Sequence, residues 1–156
     1  MKKNIAFLTI LLVVLFCGYA GAAPKTPVMA ECVIPGGSIG ASVTGVGVDP
    51  TTNQTTEINT KARIDNPDKK TVTFSVGGAP TSPADPISGT SGKGTLSPSG
   101  TGQYAMKVKY KVEDRTITVD GVIGTTTTPG ICTGSGTWEA TGSKKKSLGR
   151  GKWTIP

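Results

Sequence analysis

The chain has 156 residues, with 17 Lys and Arg against 10 Asp and Glu, a net charge of +7 and no histidine. The missing histidine excludes Ser-His-Asp and Cys-His catalysis and histidine-ligated metal centres. With 22 Gly, 11 Pro and only eight Trp, Tyr and Phe residues, the composition describes short strands joined by turns around a thin core, within one domain.

Residues 1–22 read as an export signal. Lys2 and Lys3 form a positive start, residues 5–16 an apolar run, and Ala20-Gly21-Ala22 a small-x-small cleavage site that leaves Ala23 as the first mature residue. The apolar run is too short for a membrane span, which needs about 20 such residues. The protein is therefore expected outside the cytoplasm, periplasmic or extracellular in a bacterial cell. The alternative is a lipoprotein anchored through Cys17, the one route by which a membrane becomes a partner. Large Phe16 before that cysteine suits lipoprotein processing poorly.

Loss of the signal removes Cys17 and leaves Cys32 and Cys132. An even pair in an exported chain reads as one disulfide. It would tie the first strand region to the penultimate one.

Residues 23–30, with Pro24 and Pro27, form an extended leader to a single β domain over 31–156. Ile39, Ala41 and Val43 alternate with polar neighbours, and the apolar phase then moves to Val46 and Val48. That slip predicts a bulge or bend near Thr44-Gly45. After a polar turn at 49–54, Ile58, Thr60, Ala62 and Ile64 complete a hairpin, closed by Asp65-Asn66-Pro67-Asp68. Val72, Phe74 and Val76 form the next strand. Residues 78–102 hold four prolines and many Gly and Ser, and are expected mostly as a mobile surface loop with an edge strand near 94–97.

Residues 103–123 carry the clearest pattern in the chain. Tyr104, Met106, Val108, Tyr110 and Val112 alternate with Gln103, Ala105, Lys107, Lys109 and Lys111. The alternation resumes after Asp114 with Ile117, Val119 and Ile123, which makes a hairpin with one apolar and one lysine-bearing face. Residues 131–141 and 149–155 supply two more strands, with Trp138, Trp153 and Ile155 inward. The predicted fold is all-β: a small antiparallel up-and-down barrel of about seven or eight strands, or a two-sheet β-sandwich.

Two groups of residues could bind a ligand. Lys107, Lys109 and Lys111 stand about 6.5–7 Å apart along one strand face. If Lys144, Lys145 and Lys146 lie beside them, the six form a patch for an anionic envelope polymer or lipid headgroups. The plainer alternative is a solvated face that blocks edge pairing. No aromatic residues interleave with these lysines, which argues against nucleic acid. Tyr104, Tyr110, Trp138 and Trp153 could line a cavity for a small apolar ligand, or be ordinary core. Gly136-Thr137-Trp138 and Gly151-Lys152-Trp153 share a Gly-x-Trp spacing found in ligand-binding barrels, but the match is too short to name a family. Gly92-Lys93-Gly94-Thr95 lacks the spacing and following helix of a phosphate loop. No cofactor, metal ligand set or catalytic constellation emerges. The functional expectation is an exported, non-catalytic binding module. A structural component of the cell surface and a carboxylate-only hydrolase are the alternatives.

Overall fold

The structure is a computed structural model that describes Cys32, Val33 and residues 36–126 and 131–156. The expected export segment, the leader and Cys17 lie outside the described residues.

Eight antiparallel strands form a closed barrel in sequence order. They are β1 (Gly37–Val48), β2 (Thr55–Asn66), β3 (Thr71–Val76), β4 (Ser91–Gly100), β5 (Gln103–Val112), β6 (Arg115–Thr125), β7 (Cys132–Thr141) and β8 (Ser147–Ile155). Closure comes from β1 pairing with β8, from Ser42 opposite Thr154 to Gly47 opposite Gly149. Of the two expected architectures, the barrel is the one observed. It buries the hydrogen-bonding edges that a Thr- and Gly-rich sheet would otherwise expose.

An eight-stranded barrel has an interior just wide enough for its own side chains. Here Val43, Ile64, Phe74, Met106, Val108, Ile117, Val119, Trp138 and Trp153 fill it. Room for two indoles comes from inward glycines. A Cβ on Gly151 would come 2.6 Å from Trp138 Nε1, and one on Gly45 2.7 Å from the same ring. Gly136 leaves the equivalent space for Trp153, at 2.5 Å from its Nε1. Each indole N–H then donates to a backbone carbonyl, Trp138 to Thr44 O at 3.0 Å and Trp153 to Asp120 O at 3.1 Å. The Phe74 ring meets Trp153 edge-on at 6.3 Å.

The expected bulge near Thr44-Gly45 is absent. β1 keeps an unbroken register against β2 from Gly37 opposite Asn66 to Val48 opposite Thr55. The inward phase continues through Gly45 and Gly47, and Val46 faces solvent. Val46 drew attention by its hydropathy, but the inward positions are glycine because Trp138 and the loop after β3 already occupy that space.

Residues 78–102 are likewise not one long surface loop. β4 runs from Ser91 to Gly100 and pairs with β3 and β5, so it is an interior strand of the closed sheet. The register shifts between Pro98 and Gly100, where proline's missing N–H is tolerated. Ahead of it, residues 77–90 fold over one end of the barrel as a cap. Ile87 is fully buried, and Ala84, Asp85 and Ser88 are nearly so. The Asp85 carboxylate organises the cap by accepting from Ile87 N–H at 3.2 Å and Ser88 N–H at 3.1 Å.

The opposite end is closed by Val33, which is buried, and by the disulfide between Cys32 and Cys132. The bridge joins the segment before β1 to the start of the penultimate strand, as expected, across 100 residues of sequence. A disulfide of this kind is compatible with an oxidising location.

Candidate functional site

Outward positions on the strands are mostly Ser, Thr, Lys, Arg, Asn, Glu and Asp, while inward ones are apolar or glycine. A barrel embedded in lipid shows the reverse, with an apolar band outside. Val46 and Val122 are the exposed large apolar residues among the described strand residues.

Lys107, Lys109 and Lys111 project from the outside of β5, as their alternation requires. Across the ladder to β6 they stand opposite Asp120, Thr118 and Thr116. On the other side, Thr95 of β4 faces Lys107, and Gly94 faces Val108. One step further along β4, Lys93 stands outward beside Lys109, and beyond it on β3 comes Thr73. The face therefore holds four lysines over two strands, with Asp120 at one margin and the Glu113-Asp114 turn at the other. Lys93 was missed from sequence because it sits among glycines and prolines that hide the alternation of β4.

Lys144, Lys145 and Lys146 do not join this face. They occupy the β7–β8 turn at the capped end of the barrel. Lys146 Nζ donates to Pro50 O at 2.9 Å and Asn53 Oδ1 at 3.3 Å, which ties that turn to the β1–β2 turn. Only Lys111 approaches: the ladder runs from Lys111 to Thr116 to Thr141, two strand spacings or roughly 10 Å.

The four aromatic residues are divided among three places. Trp138 and Trp153 pack in the barrel centre against glycine backbone and fill the space that a ligand would need. Tyr110 lies under the cap, where its hydroxyl and that of Thr90 are 2.7 Å apart. Burial raises the Tyr110 phenol above its ordinary value, an effect offset in part by the Thr90 hydrogen bond and the positive charge of Arg115. Tyr104 is half-buried at the opposite end, opposite Ile123.

A cleft at the capped rim was not legible in the sequence. It encloses about 240 Å³ between the cap, the β5–β6 turn and the β7–β8 turn, and Val48, Pro83, Pro86, Leu148, Arg115 and Lys146 line it. Leu148 reaches this position because β8 carries an extra residue where the register shifts beside Ala140 and Thr141. The Arg115 side chain is 19% exposed, and its Nε is buried with no hydrogen-bond acceptor in the protein. A shallower hollow lined by Pro80, Ser82 and Asp85 lies on the cap side of the same arginine.

Among the described residues no cluster of three or more His, Cys, Asp or Glu could hold a metal ion. No protein-family model, curated protein or solved structure matches the chain.

Proposed function

We propose that the protein is an exported, non-catalytic binding module that holds a linear anionic polymer of the cell envelope along the outer face of β4 and β5. One observation carries this reading: Lys93, Lys107, Lys109 and Lys111 stand on adjacent paired strands and face the same way. Three of them repeat about every 6.5–7 Å along one strand, a spacing suited to successive charges of an extended polymer. The strands are locked in a closed sheet, so the backbone that carries the four lysines needs no ordering when a ligand arrives, which limits the ordering cost of binding. Export rests on the signal-like first 22 residues together with the disulfide.

Support for the other readings is thinner. The apolar-ligand reading needed a barrel cavity, and the indoles occupy that space. Assembly through sheet edges needed an open edge, and β1 pairs with β8. The carboxylate of Asp85, the most buried acid among the described residues, is engaged with its own loop.

The test is retention of the protein on immobilised long-chain polyphosphate and polyglutamate as salt is raised. Retention should fall steeply with salt, since exposed charges are screened within about 10 Å at 0.1 M. The quadruple variant Lys93→Gln/Lys107→Gln/Lys109→Gln/Lys111→Gln should elute at the lowest salt. Arg150→Gln/Lys152→Gln on β8 should elute near the wild type. Equal losses in both variants would mean that net charge alone governs retention, and the proposal would fail.

A further inference from the structure

The rim cleft around Arg115 has features that the lysine face does not explain. Arg115 is the first residue of β6, and its guanidinium sits between the cap and the β7–β8 turn. One neighbour is Glu113, whose Oε2 lies 3.7 Å from Nη2 and whose side chain is 76% exposed. The buried Nε–H has no protein acceptor. With Nε sealed from solvent, the guanidinium meets a ligand through its Nη groups.

The backbone around the cleft is unusual in the same place. The non-glycine residues with positive φ among the described residues are Asn53, Glu113, Lys144 and Lys145. All four lie in turns at this end of the barrel, and three are in the two turns that flank the cleft. Such conformations are costly for residues other than glycine and persist where the surroundings impose them, often beside binding sites. Lys144 and Lys145 place two consecutive left-handed residues in one turn, and Lys146 anchors that turn to the β1–β2 loop. The rim is built to a shape that its local sequence does not favour.

We propose that this cleft binds a small monocarboxylate with a short apolar body, its carboxylate on the two Nη groups of Arg115 and its body against Val48, Pro83, Pro86 and Leu148. A guanidinium offers parallel N–H groups that match the two oxygens of a carboxylate. The acids at Glu113 and Asp114 disfavour an anion of higher charge, such as phosphate. The enclosed volume, below the common range of about 300–1,000 Å³ for ligand pockets, limits the body to a few carbons. Glu113 acts as the resident carboxylate near Nη2, and its exposure lets it swing away when the ligand enters. This site is separate from the β4–β5 face, so either proposal can fail alone.

The experiment titrates sodium hexanoate into the 15N-labelled, disulfide-bonded protein and follows by NMR the side-chain Nε–Hε signal of Arg115 and, in every variant, the backbone amide signals of residue 115 and Leu148. Hexanamide, inorganic phosphate and sodium chloride at matched ionic strength serve as controls. Hexanoate should shift the Arg115 signal saturably and hexanamide should not. Arg115→Lys, which cannot offer the parallel donors, should weaken binding at least about tenfold. Glu113→Gln, on an exposed side chain that keeps the fold, should strengthen it severalfold by removing the competing charge. No saturable shift, an equal response to hexanamide or phosphate, or weaker binding by Glu113→Gln would overturn the proposal.

Discussion

Trp138 stands opposite Gly151 across the β7–β8 ladder, and two residues along it Trp153 stands opposite Gly136. Each indole lies over the other strand's glycine and reaches past it, Trp138 to the carbonyl of Thr44 on β1 and Trp153 to that of Asp120 on β6. The exchange lets four adjacent strands share two large rings. It predicts that Gly151→Ala and Gly136→Ala each cost about 1–3 kcal/mol, the usual range for overpacking a filled interior. Backbone as well as ring would obstruct the new methyl: for Gly151 the Cα of Gly45 is 2.6 Å away. Gly40→Ala, where nothing lies within 4 Å, is the control, and its urea midpoint should match or slightly exceed the wild type.

The cap should behave as core. Ile87 is as buried as the barrel interior, so Ile87→Ala should cost about 2–4 kcal/mol in urea denaturation. Ile131, 52% exposed, should tolerate the same change within about 0.5 kcal/mol. Equal and small effects at both positions would show that residues 77–90 detach from the barrel without consequence.

Closing a loop of 100 residues, the Cys32–Cys132 bridge should contribute about 4–5 kcal/mol on the chain-entropy account. Urea titrations with and without a thiol reductant measure it directly. Cys32→Ser/Cys132→Ser should reproduce the reduced midpoint. A midpoint unmoved by reduction would mean that Val33 holds its place at the end of the barrel without the bridge.

Stability should decline at both ends of the pH scale, for opposite reasons. Asp49 lies below the ordinary carboxylate value of 3.8 because the N–H groups of Thr51 and Thr52 donate to it, and Asp68 because those of Lys70 and Thr71 do. Folding lowers both values, so the unfolded chain binds more protons in acid. Their stabilisation is complete above the ordinary value and is lost as pH falls through the lower folded values. Asp49→Asn/Asp68→Asn should therefore flatten the acid limb of a plot of urea midpoint against pH. Tyr110 is raised above 10.0 by burial, so its stabilisation is present below that pH and is lost as pH rises through the folded value. Tyr110→Phe should flatten the alkaline limb, and a limb that keeps its slope would separate that loss from this residue.

The alternation over 103–123 was sufficient to specify β5, β6, their inward residues and an all-β fold, because strand periodicity is a local property that survives in any β architecture. The parity of the cysteines was sufficient for the disulfide. Barrel closure was not legible, since the pairing of β1 with β8 joins the two ends of the domain and leaves no mark on either strand's own pattern. Gly45 and Gly47 misled for a related reason: glycine carries no hydropathy, so its direction shows only once the ring that fills its space is located. Residues 84–88 read as loop because proline and serine look solvent-facing, yet the open barrel end required a cover. Lys93 and Arg115 became candidates only by position, Lys93 beside Lys109 across a ladder and Arg115 beneath a cap. Sequence by itself determined the type of strand, the bridge and the polar exterior, all set by neighbours along the chain. Tertiary structure alone decided which charges meet, which glycines make room and where a cleft remains, because these depend on residues brought together from distant strands.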